Sequence, residues 1–186
     1  MNQTSIGKAL SLLSSVIAIS AAAPALAMNH GKFSQDGLPD AVKVPAGNVV
    51  MLETVGAGEI TYECRAKKDA ADQFEWVFVG PDAKLKDRAG KQIGKYYGPP
   101  ATWEANDGSK VTATQLATAP GGNGNIPMQL VKANPASSAG AMQGVSFIQR
   151  LATKGGIAPA SACAQGNLGE KQIVQYQADY IFWKAE

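Results

Sequence analysis

Apolar side chains recur at every second position through most of this chain, the spacing of a strand with one face in a core and the other toward water. Ile60, Tyr62 and Cys64 alternate with Thr61, Glu63 and Arg65, and Phe74, Trp76 and Phe78 alternate with Glu75, Val77 and Val79. Ile126, Met128 and Leu130 repeat the pattern. The longest run sets Val174, Tyr176, Ala178, Tyr180 and Phe182 on one face, with Gln175, Gln177 and Asp179 opposite. The unbroken apolar run 49–52 suits a short buried strand, 111–116 continues as a Thr-rich strand, and 145–151 makes another whose core face runs through Val145 and Phe147. On that last strand Arg150 points inward or outward. Gly56-Ala57-Gly58, Pro81-Asp82, Ala89-Gly90 and Thr153-Lys154-Gly155-Gly156 read as turns, and 119–125 and 133–140 as loops. Asn106-Asp107-Gly108-Ser109 carries the Asp-Gly signal of a tight hairpin, expected as a type I′ turn.

Past residue 27 no window shows the i, i+3, i+4, i+7 stripe of an amphipathic helix. Many short strands divided by Gly/Pro turns predict an all-β domain, an antiparallel β-sandwich or barrel-like fold with long loops. An α+β domain with a short helix in 158–165 or 133–142 is the lesser alternative.

Ahead of the strands the pattern changes. Lys8 is followed by the apolar run 9–23, then Pro24 and Ala25-Leu26-Ala27, so residues 1–27 read as a cleaved secretory signal peptide that leaves Met28 as the mature N-terminus. The run is too short to span a bilayer comfortably, and no membrane span is expected after cleavage. Residues 28–47, polar and broken by Gly37, Pro39 and Pro45, read as a loosely ordered lead-in, and 48–186 as a single β-rich domain. Taking 27 residues from 186 leaves 159, enough for one real core. Of 17 basic side chains only Lys8 leaves with the signal, so 16 face 15 acidic ones. A nearly neutral surface argues against nucleic acid as a partner. Export to the periplasm or the outside meets oxidising conditions, and Cys64 and Cys163 are an even pair, so a disulfide is expected, with two buried thiols as the alternative.

Most familiar chemistries find no footing. The single histidine, His30, lies two residues past the expected cleavage point, where it is a poor general base and cannot build a multi-histidine metal centre. Gly56-Ala57-Gly58 lacks the third glycine and the helix of a dinucleotide fingerprint, and Gly121-Gly122-Asn123-Gly124 lacks the Lys-Ser/Thr ending of a phosphate loop. No cofactor and no metal are expected. Glu104 and Asp107 beside the hairpin are carboxylates that a glycosidase-like reaction would use in a facing pair, although charges in such places usually only solubilise. Tyr96, Tyr97 and Trp103 flank Pro99-Pro100; buried rings are their first reading, and stacking on a ligand is the second. Arg150 is read first as half of an ion pair with Asp179 or a strand glutamate, and second as a fork for a ligand.

Taken together, Val-Pro-Ala-Gly at 44–47, Ile-Thr-Tyr-Glu-Cys at 60–64, Phe-Glu-Trp at 74–76, Trp-Glu-Ala-Asn-Asp-Gly-Ser-Lys-Val at 103–111 and Phe-Ile-Gln-Arg-Leu-Ala-Thr-Lys-Gly-Gly-Ile-Ala-Pro from 147 toward Cys163 resemble domain-of-unknown-function family 3455. The resemblance implies a secreted or periplasmic β-rich domain of bacteria and fungi with no established activity. A dehydrogenase label carried by some members finds no nucleotide fingerprint here. Tyr96-Tyr97 stands where the family is expected to carry a histidine, and Ile126-Pro127-Met128 where it is expected to carry a tryptophan.

The functional expectation is an exported, non-catalytic domain that binds a small molecule, a glycan or an envelope protein through Tyr96, Tyr97, Trp103, Glu104 and Arg150. A carboxylate-dependent hydrolase acting on glycans is the alternative, and an inhibitor or assembly protein using an exposed strand edge is a third.

Overall fold

The computed structural model describes residues 33–186 together with Met1. The expected signal peptide, its cleavage point and His30 lie outside the described residues. Eight strands follow one another: β1 (Asn48–Lys67), β2 (Ala70–Lys86), β3 (Gln92–Tyr97), β4 (Thr102–Ala105), β5 (Lys110–Ala119), β6 (Met128–Ala133), β7 (Val145–Gly155) and β8 (Lys171–Ala185). Each pairs antiparallel with the next, and β8 returns to β1 from Asn48↔Ala185 to Glu63↔Lys171. This is a closed up-and-down barrel, one sheet rather than the two a sandwich requires. Every strand has a neighbour on both sides over part of its length, so no strand is wholly an edge, although residues 70–81 of β2 are paired on the β1 side alone. Between β7 and β8, and between β6 and β7, no α-helix forms; the helical turns among the described residues are the 3-10 segments Asp40–Val42 and Gln165–Asn167.

Closure needs long, bent strands, and β1 shows how this chain makes one. Gly56-Ala57-Gly58, expected as a turn, runs straight through β1. Glycine is required there by packing: a Cβ on Gly56 would sit 2.4 Å from Cε2 of Tyr180. Pro81-Asp82 likewise stays within β2. Pro81 is tolerated because β3 ends with Tyr97 opposite Asp82, leaving the Pro81 flank without a ladder bond to donate, and because a register shift at Val79 bends the strand just before it. The hairpin over 105–109 forms as expected but with different geometry. The Gly108 N–H donates to the Ala105 carbonyl and only Gly108 has a positive φ, so Asn106 and Asp107 keep ordinary angles and the connection is a type I turn closed by a glycine bulge.

Inward positions form the main core, from Ile60 and Tyr62 through Leu85, Tyr96, Trp103, Val111, Val131 and Ile148 to Tyr176, Tyr180 and Phe182. One end of the barrel is stoppered by Met142, which the 134–144 loop delivers into this core. Asp107 holds that loop: its carboxylate accepts from the Ala141 N–H at 2.7 Å and from the Ser109 hydroxyl and N–H at 2.6 and 2.9 Å.

A second core lies on the outside. Val42 and Val44 pack with Leu130, Leu151, Ile181 and Trp183, and Phe33 meets Trp183 edge-on at 5.9 Å. The described part of the lead-in, 33–47, is therefore a pinned strap, and fully burying each valine contributes about 1.5–3 kcal/mol. This strap explains two reversed faces. Met128 and Leu130 point outward beneath it, as does Phe147, while Gln129, Val131, Ile148 and Arg150 take the inward positions. Where both faces of a strand are buried, apolar alternation marks either core.

The disulfide is present. Cys64 and Cys163 are bonded with their Cα atoms 5.4 Å apart, tying the upper part of β1 to the β7–β8 loop.

Candidate functional site

Antiparallel order places the 98–101, 120–127 and 156–170 loops at the end of the barrel opposite Met142. At that open end lies a cavity of about 230 Å³, walled by Phe78, Tyr96, Pro99, Trp103, Val131 and Arg150 and edged by Gln115 and Gln129. No Asp or Glu lines it. Two of its wall rings stack, Tyr96 on Trp103 with centroids 4.6 Å apart, and Tyr180 packs against both in the core, 5.1 Å from Tyr96 and 5.8 Å from Trp103. Tyr176 and Tyr180 share a hydroxyl–hydroxyl hydrogen bond of 3.3 Å, and the Tyr62 hydroxyl donates to the Gly156 carbonyl at 2.8 Å. Burial raises the Tyr96, Tyr176 and Tyr180 phenols above their ordinary range. They stay protonated at any physiological pH and supply rings and hydroxyls rather than bases.

Two polar groups stand out in this setting. Trp103 is almost completely buried, and its indole N–H has no hydrogen-bond acceptor. Such a buried, unmade bond costs about 1–3 kcal/mol unless something fills it. Arg150 donates through Nε and Nη2 to the Pro127 carbonyl at 3.1 and 2.9 Å. The ion pair expected with Asp179 is made by Arg88 instead, at 2.8 Å, and the described residues offer Arg150 no carboxylate within ion-pairing distance.

Of the five expected site residues the barrel brings together Tyr96, Trp103 and Arg150 and turns the other two away. Tyr97 and Glu104 occupy outward positions, where the Tyr97 hydroxyl donates to Glu104 at 2.8 Å and Lys95 and Lys110 reach the same carboxylate at 3.4 and 3.2 Å. The strand period of two dictates this split, since Tyr96 and Tyr97, like Trp103 and Glu104, are chain neighbours. Gln115 and Gln129, joined by a hydrogen bond at the cavity edge, were not expected. Their only signal is a polar side chain two positions from an inward apolar one, Ala113 or Val131.

Neither carboxylate beside the hairpin is poised to donate a proton. The Tyr97 hydroxyl, helped by Lys110 and Lys95, lowers the Glu104 pKa, and the Ser109 hydroxyl with the Ala141 N–H lowers that of Asp107. A carboxylate depressed in the folded state adds stability that is fully present above its unfolded value near 4 and is lost as pH falls through the folded value. Melting curves from pH 6 to pH 3 should therefore show a falling midpoint, with a smaller fall in the Glu104→Gln, Asp107→Asn double variant. An equal fall in both proteins would show that these two contacts carry no linked stability.

The family model described as protein of unknown function (DUF3455) matches residues 45–184. The chain belongs to the DUF3455 family. No curated protein and no solved structure matches it. The DUF3455 match spans all eight strands except the last residue of β8, and it takes in both cysteines and every wall of the cavity. Of the described residues, Met1, the strap residues 33–44 and the last two residues fall outside it. Among the described residues of this DUF3455 chain no group of three His, Cys, Asp or Glu side chains could hold a metal ion, and no helix is long and apolar enough to cross a membrane.

Proposed function

We propose that the protein is an exported, non-catalytic binding module that takes a small molecule into the open mouth of its barrel. The observation that carries this reading is that the open mouth holds one cavity, walled by the rings of Phe78, Tyr96 and Trp103, into which a single guanidinium without a counter-ion, that of Arg150, is set. Eight-stranded barrels have interiors just wide enough to be filled by side chains or to hold one small ligand. Here one end is filled, by Met142, and the other is open. The leader-like pattern of residues 1–27 and the disulfide support export, because such bonds persist in oxidising compartments. The hydrolase alternative lacks a pair of acids: no carboxylate lines the cavity, and Glu104 and Asp107 are engaged elsewhere.

Thermal melts against a library of small acids, amines, neutral metabolites and glycan fragments test the reading. Some member should raise the melting temperature in a concentration-dependent way, as any ligand of the folded state does. Trp103→Phe, which keeps a ring but takes away part of the apolar wall, should weaken that ligand by roughly threefold to tenfold. A library that stabilises nothing, or a stabilising ligand indifferent to both Trp103→Phe and Arg150→Met, would overturn the reading.

A further inference from the structure

The geometry points to a compact, ring-bearing monocarboxylate as the occupant of the barrel mouth, an assignment that rests on the binding reading above and narrows it. Charge is the first ground. The chain has three arginines; Arg65 is paired with Glu63 at 3.0 Å, and Arg88 with Glu53 at 3.0 Å and Asp179 at 2.8 Å. Arg150 is the one that lines the cavity, half-buried among rings and without an acid. A cation held against apolar walls favours an anion from outside, because a partly desolvated charge is costly until it is paired.

The shape of the donor set is the second ground. Arg150 spends its Nε edge on the Pro127 carbonyl, which fixes the guanidinium plane and leaves the Nη1–Nη2 edge with two parallel N–H groups. That edge matches the two oxygens of one carboxylate. The cavity wall supplies one positive charge and no other, so the match is to a monoanion rather than to a phosphate dianion.

Size and lining select the rest of the molecule. An apolar cavity of roughly 150 Å³ accepts a benzene ring. About 230 Å³ therefore holds one ring with a small polar group, and it falls below the roughly 300–1,000 Å³ of drug-sized sites. Phe78, Tyr96, Pro99 and Trp103 offer flat apolar walls to such a ring. The free half of the Gln115–Gln129 amide pair at the cavity edge remains for a second acceptor or donor on it.

The experiment titrates benzoate, 4-hydroxybenzoate and nicotinate against their carboxamides, with phenyl phosphate alongside, into the purified protein by calorimetry. Wild type, Arg150→Met and Trp103→Phe are compared after melting curves have shown each to be folded. At least one acid should bind wild type roughly tenfold to a hundredfold more tightly than its carboxamide, and Arg150→Met should remove that preference. Should Arg150→Met not fold, Arg150→Lys carries the same test, since it keeps the charge and loses the fork. Equal binding of acid and carboxamide, with both weakened by Trp103→Phe, overturns the carboxylate assignment and leaves a ligand site at the mouth standing. Preference for phenyl phosphate, or no binding by any of these compounds, overturns the assignment as well; only the empty library screen described above removes the binding reading itself.

Discussion

The Cys64→Ser, Cys163→Ser double variant is expected to melt roughly 5–15 °C below the wild type, corresponding to a loss of about 2–5 kcal/mol. The bond closes a separation of 99 residues, and in the chain-entropy view a long closure restricts the unfolded chain most. It also acts locally. The Cys64 N–H donates to the Glu170 carbonyl and the Cys64 carbonyl accepts from the Gly169 N–H, so the cysteine is the point at which β1 leaves its pairing with β8 and takes hold of the 156–170 loop. That loop has few other attachments, among them the Trp76 indole N–H on the Ser161 carbonyl at 2.8 Å. Thermal unfolding with and without reductant measures the effect, and hydrogen exchange should show 156–170 opening first in the variant. An unchanged midpoint would mean that the loop is held by its hydrogen bonds alone.

Gln149→Leu is expected to cost a similar amount, about 2–5 kcal/mol, for a different reason. Gln149 is fully buried between barrel and strap, and it satisfies both sides at once. Its amide donates to the Val42 carbonyl at 2.6 Å and to Gln35 Oε1 at 3.0 Å, while its oxygen accepts from the Trp183 indole N–H at 2.9 Å. Leucine has nearly the same volume and none of these bonds, leaving the Val42 carbonyl and the Trp183 N–H buried and unmade. Gln35 keeps its bonds with Val44, so the strap itself stays folded but loses its bolt. Limited proteolysis should cut the 33–47 segment of the variant early while the barrel resists. Cleavage at the wild-type rate would show that apolar contact alone holds the strap.

The strand pattern carried the all-β class and the inner faces of β1 and β8, where Ile60, Tyr62 and Cys64, and Tyr176, Ala178, Tyr180 and Phe182, are all buried as their period implies. It misassigned β6 because residues 33–47 cover the barrel's outside there, and no local spacing can announce cover that comes from a hundred residues away. Glycine and proline misled for the opposite reason. In a sandwich Gly56-Ala57-Gly58 and Pro81 would be turns, but a closing barrel uses them to let Tyr180 approach the backbone and to bend a strand in place. The site was legible in its ingredients and illegible in its sorting. Tyr96, Trp103 and Arg150 were all singled out, yet deciding which of them share a cavity needs the register Tyr96↔Trp103 and Gln129↔Arg150, which sequence periodicity does not set.

The three tryptophans report directly on the proposed binding of a small molecule in the mouth of the barrel. The Trp76 and Trp183 indole N–H groups already donate to Ser161 and Gln149, whereas that of Trp103 has no acceptor. In a two-dimensional proton–nitrogen NMR spectrum, with peaks assigned by single Trp→Phe variants, the Trp103 indole proton should lie upfield of the other two in the free protein. A stabilising ligand seated against the Trp103 ring should shift this resonance while those of Trp76 and Trp183 stay in place. A stabilising ligand that shifts Trp76 or Trp183 and leaves Trp103 unmoved would contradict the account.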